Sequence, residues 1–107
     1  MKEFIDKQEF EAFCDANKHV VVYCYATWSG PCKLLALKIE QLATENTDIQ
    51  FVKVDVDQAE NIAGFFSISI IPTVLFFRNG VILGDLTVQG ANEHKIKESV
   101  QTLSELK

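Results

Sequence analysis

Along this chain of 107 residues the apolar positions change their period several times, and each change marks an element. Asp6-Lys7-Gln8-Glu9 reads as a capping box with Asp6 at the N-cap, and Phe10, Phe13 and Cys14 then recur at helical spacing to about Asn17. A short amphipathic helix is predicted there. Val20-Val21-Val22-Tyr23-Cys24-Tyr25 is a continuous β-branched and aromatic run, the pattern of a central strand covered on both faces, with Thr27 as its polar boundary. From Cys32 to about Glu45 helix formers dominate, and Leu34, Leu35, Ile39, Leu42 and Ala43 fall at helical spacing. Pro31 suits the first turn of that helix, where its missing amide proton would have had no intrahelical acceptor. Ile49 to Val56 alternates, which predicts a second strand.

Asp57-Gln58-Ala59-Glu60 is a second capping box, opening a short helix that fades near Gly64. Ile70-Ile71-Pro72 leads into a third strand, Thr73-Val74-Leu75-Phe76-Phe77, which Arg78-Asn79-Gly80 turns into Val81-Ile82-Leu83. Asn-Gly between two apolar runs is the strongest short-range hairpin signal. Asn92 can cap a last amphipathic helix carrying Ile96, Val100 and Leu103. The order helix, strand, helix, strand, helix, hairpin, helix predicts an α/β fold. Its central mixed sheet would be parallel where strands and helices alternate and antiparallel at the hairpin, with helices on both faces. No repeat, linker or compositional break divides the chain, so residues 1–107 are expected to form one domain.

Composition narrows the function. A chain of this size buries somewhat over ~60% of its extended surface, enough for one core. The net charge of −5, with no basic stripe, argues against nucleic acid as a partner. No apolar run approaches the ~20 residues that span a bilayer, so no membrane partner is expected. Met1-Lys2-Glu3-Phe4 carries charge where a secretory leader would be apolar, which leads us to expect a cytoplasmic location, and a monomer is expected independently of that. Cys14, Cys24 and Cys32 are odd in number and match neither a disulfide framework nor a zinc site, so at least one is unpaired. Cys24 reads as core and Cys14 as a helix-face residue without a special role. His19 and His94 are isolated and read as solvated, and Asp55 and Asp57 read as a strand end and a helix cap. No cofactor and no metal are implied.

Trp28-Ser29-Gly30-Pro31-Cys32-Lys33 between strand and helix, Ile71-Pro72-Thr73 opening a later strand, the Arg78-Asn79-Gly80 hairpin and the closing Gly90-Ala91-Asn92 together resemble the thioredoxin family over nearly the whole chain, in particular its eukaryotic cytosolic members. The resemblance implies a thioredoxin fold and a protein disulfide reductase of cell redox homeostasis and electron transport, acting on oxidised proteins and recycled by thioredoxin reductase. It also implies roles. Ser29 stands at the position of the cysteine that attacks a substrate disulfide, and Cys32 at that of the thiol resolving the mixed disulfide. Pro72 matches the family's cis-proline, with Ile71 before it pairing with the substrate backbone. Trp28, Gly30, Pro31, Gly90 and Ala91 match the apolar rim.

Three residues depart from the family pattern. Serine at position 29 offers an exposed hydroxyl in place of the thiolate that exchange requires, so dithiol turnover is expected to be lost or crippled. It reads either as natural divergence or as a substitution made to silence the nucleophile. Tyr23 replaces the usual buried aspartate and, with a reference pKa of about 10, is a poor proton carrier near neutrality. Leu37 replaces a helix-kinking proline. Two other functions stay open: a non-catalytic binding module that keeps the groove at Trp28, Ile71-Pro72 and Gly90, and a monothiol protein using Cys32 with glutathione.

Overall fold

The computed structural model describes all residues from Met1 to Lys107. Four helices, α1 (Lys7–Ala16), α2 (Gly30–Glu45), α3 (Glu60–Phe65) and α4 (Glu93–Glu105), flank one sheet. Its strands are β1 (Lys2–Glu3), β2 (His19–Tyr25), β3 (Gln50–Asp55), β4 (Thr73–Arg78), β5 (Val81–Ile82) and β6 (Val88–Gln89), and a single 3₁₀ turn, Gly84–Leu86, lies between the last two. The sheet runs β1-β3-β2-β4-β5, with β6 also on β4. β3 is parallel to β1 and β2, whereas β4 is antiparallel to β2, β5 and β6. The predicted mixed α/β architecture is the one observed.

The central run is buried on both faces as expected, and strand alternation divides the interior in two. Val21 and Tyr23 point to one side, where α2 and α4 contribute Cys32, Leu35, Ile39, Ile96, Val100 and Leu103. Val20, Val22 and Cys24 point to the other, where Phe10 and Cys14 of α1 and Ile62 of α3 pack on Val54 and Phe77. Rings dominate that second side: Phe10 meets Phe4, Phe66 and Phe77 edge-on, at centroid separations of 5.8, 5.9 and 5.7 Å. Edge-to-face contacts add about 0.5–1.5 kcal/mol each beyond the burial of area.

Several local expectations need correction. Asp57 does not cap α3: the N-cap is Ala59, which makes no side-chain cap bond. Asp55 closes that loop instead, its carboxylate accepting from the Asp57 amide at 3.0 Å and its carbonyl from Ala59 at 2.8 Å. Leu34 leaves the core face of α2 and is 81% exposed, as the helical period starting at Leu35, Ile39 and Leu42 requires. His19 is buried at the start of β2, because its alternation turns it inward beside its cross-strand neighbour Arg78. Asp6 and Asn92 do cap their helices, accepting from the amides of Gln8 and Lys95.

Candidate active site

Strand register gathers three loops at one end of the sheet. Cys24 is opposite Thr73, and Thr73 is opposite Gln89. The turn leaving β2 (Ala26 to Ser29), the segment entering β4 (Ile70 to Pro72) and the residues leaving β6 (Gly90, Ala91) therefore adjoin. The Ile71–Pro72 peptide bond is cis, and the Pro72 carbonyl accepts from the Gly90 amide at 2.7 Å. Gly90 has φ of 90°, a left-handed conformation that glycine adopts without cost. Neither the amide nor the carbonyl of Ile71 bonds to any group of the chain, although its side chain packs on the cluster that contains Cys32.

Ser29 is the N-cap of α2, with extended φ and ψ of −86° and 119°. Its hydroxyl accepts from the Cys32 amide at 3.4 Å, and its carbonyl from Lys33 at 3.2 Å. The hydroxyl is not exposed, contrary to the expectation from sequence: capping turns it inward, and the residue is 5% accessible. No side chain accepts its proton. Cys32, three residues on, is buried in the first turn, while Trp28, Gly30 and Pro31 form the exposed shoulder. Gly30 and Pro31 open the helix as the proline predicted.

Two further side chains hold this region. The Tyr23 hydroxyl donates to the Cys32 carbonyl at 2.7 Å, joining the middle of β2 to the first turn of α2. Burial, then the neighbouring Cys32 thiol, push the phenol above its ordinary range, so it stays protonated at neutral pH. The Trp28 indole donates to the Asp57 carboxylate at 2.8 Å. Sequence reading gave Asp57 only a capping role. The parallel register that sets Tyr25 beside Asp55 places Asp57 level with the loop after β2, a cross-strand placement that no local pattern announces. The other thiols lie away from this end. Cys14 and Cys24 belong to the cluster across the sheet, and burial pushes each up to about 12.

The family model for thioredoxins matches residues 2–102. The chain belongs to the thioredoxin family. It is 40% identical to the thioredoxin of Echinococcus granulosus, over 91% of this chain and 89% of that one. It is 42% identical to the thioredoxin of Mycoplasmoides gallisepticum, over 92% and 97%. The X-ray structure of Fasciola hepatica thioredoxin superposes with a TM-score of 0.90 at 36% identity, covering 95% of this chain and 98% of that one. A bacterial and an animal thioredoxin are thus about equally similar, and the membership is to the family as a whole. Thioredoxins are protein disulfide oxidoreductases with disulfide substrates and reductase partners. Against that background, the segment Trp28 to Cys32 of this thioredoxin carries one thiol.

Proposed function

We propose that this thioredoxin keeps the partner-binding surface of its family and has lost dithiol turnover, because Ser29 stands where the attacking cysteine is expected. The observation that carries this reading is the position of the Ser29 hydroxyl at the N-cap of α2, directly over the Cys32 amide. A sulfur there would have its thiolate stabilised by the unpaired amides and the helix dipole. A hydroxyl remains protonated and forms no disulfide.

A mixed disulfide made by Cys32 alone would wait for an external thiol, since Cys14 and Cys24 lie on the far side of the sheet. Oxidised proteins and a thioredoxin reductase are the partners we assign, and the cytoplasm the compartment. Three unpaired cysteines support a reducing location.

The test is a disulfide-reduction assay with thioredoxin reductase, run on this chain and on Ser29→Cys. Background rates for the serine form and turnover for Ser29→Cys are expected. Turnover by the serine form overturns the reading.

One observation favours a purely binding role: the unpaired amide and carbonyl of Ile71, beside an indole that is 69% exposed, can receive an extended peptide as an added strand. Capture of a partner that persists in Cys32→Ala, together with silence of Ser29→Cys, would select this role.

A further inference from the structure

A recess of about 280 Å³ opens along the flank of α2, between its first turns and the sheet. Its floor is Tyr23 and Tyr25, side by side on one face of β2 with ring centroids 5.3 Å apart and planes 13° from parallel. Ala36 leaves the gap between helix and sheet unfilled, and Cys32 also borders it.

The polar groups around the recess define what it can hold. Both phenol hydroxyls already have acceptors, Tyr23 in the Cys32 carbonyl and Tyr25 in the Glu3 carboxylate, so the tyrosines present rings rather than free donors. Lys33 and Lys53 stand in the wall, and neither lies within ion-pair distance of a carboxylate. The Thr27 hydroxyl, also in the wall, has no hydrogen-bond partner. A single carboxylate, Glu40, lines the recess. With the Glu3 carboxylate that the Tyr25 hydroxyl engages, two acids stand beside two ammoniums, so the recess is locally balanced in a chain whose net charge is −5, and Lys33 and Lys53 are its cationic groups. The volume lies just under the ~300 Å³ at which pockets for drug-sized ligands begin, which suits one ring with a short substituent.

We propose that this recess binds a compact aromatic carboxylate, its ring against the Tyr23–Tyr25 pair and Ala36, its carboxylate on Lys53 and Lys33. Ring-on-ring contact and two charge-assisted hydrogen bonds supply the affinity. Occupancy covers Cys32 from the side. The site does not depend on whether Ser29 silences turnover.

Benzoate is the probe. Titrated into the ¹⁵N-labelled chain, it is expected to shift the amide resonances of Tyr25, Thr27, Ala36 and Lys53 saturably. It is also expected to slow alkylation of Cys32 by iodoacetamide, read by peptide mass. Replacing both lysines (Lys33→Met with Lys53→Met), or offering neutral benzamide instead, is expected to weaken binding about tenfold. Ala36→Phe, which fills the recess, is expected to abolish it while the thermal melt shows a folded protein. The proposal is overturned if benzoate gives no saturable shift, if benzamide binds as well, or if folded Ala36→Phe binds unchanged. Should Ala36→Phe fail to fold, the alkylation of Cys32 in the unaltered chain decides: slowing by benzoate supports the site, and an unchanged rate overturns it.

Discussion

The Tyr23 hydroxyl donates to the Cys32 carbonyl across 2.7 Å, so a residue in the middle of the central strand fixes the turn that carries the site's only thiol. A thioredoxin aspartate at this place would serve proton transfer; the phenol, kept protonated by burial, serves position instead. Tyr23→Phe removes the bond and little volume, and is expected to lower stability by about 1 kcal/mol. The urea midpoint should fall with an unchanged slope. An unchanged midpoint would mean that the bond contributes nothing.

Ser29 makes a structural contribution separate from any chemistry, because its oxygen caps α2. Ser29→Ala is expected to cost about 1 kcal/mol, and Ser29→Gly only a few tenths. For a domain of this size the alanine change corresponds to a fall of about 4–8 °C in Tm. Differential scanning calorimetry of both variants checks the order alanine below glycine below serine.

The β4–β5 hairpin tests a backbone requirement. Asn79 and Gly80 have φ of 51° and 80°, the left-handed pair that a two-residue turn of this hand needs. A Cβ at Gly80 would also stand 2.1 Å from the Asp15 carboxylate oxygen. Gly80→Ala is therefore expected to destabilise by more than the ~1 kcal/mol of an unfavourable φ alone. Adding Asp15→Ala should recover part of the loss, and a double-mutant cycle in urea measures that coupling.

Acid should weaken the fold through His19. Burial first, then Lys18 and Arg78, lower its pKa, while Asp48 and the Leu106 backbone oppose them. Its Nε2 has no hydrogen-bond partner to gain from a proton. Because the folded value lies below the unfolded value of about 6.5, the unfolded chain binds the extra proton first. The contribution of neutral His19 is complete above that pH and is lost as the pH falls through the folded pKa. Stability against pH should thus decline below about 6.5 in this chain, and less steeply in His19→Gln, which keeps a polar group without titrating there. Parallel declines in the two proteins would remove His19 as the cause.

Local signals carried far in this sequence, and non-local ones did not. Asn79-Gly80, the caps at Asp6 and Asn92, and the continuous run from Val20 to Tyr25 each act within a few residues, so the pattern alone locates the hairpin, two helix starts and the central strand. β1 and β6 have two residues each, too few for any period, and exist because β3 and β4 offer them edges. Asp57 looked like a cap because Glu60 follows at the right spacing, whereas its carboxylate instead accepts the Trp28 indole proton from across the sheet end. The same limit applies to the site. The segment from Trp28 to Cys32 and the cis Pro72 are legible as motifs, but that Ser29 turns inward, that Tyr23 reaches the Cys32 carbonyl, and that Ala36 leaves a recess beside Tyr25 depend on how α2 lies on β2.

The sheet that separates the ring-rich side of the interior from the side holding Cys32 also keeps disturbances on one side from reaching the other. Phe4, Phe10, Phe66 and Phe77 interlock under α1 and α3 without touching the end where Ser29, Ile71 and Gly90 meet. A substitution at that end acts through the cap and first turn of α2 and leaves the ring contacts on the opposite face in place.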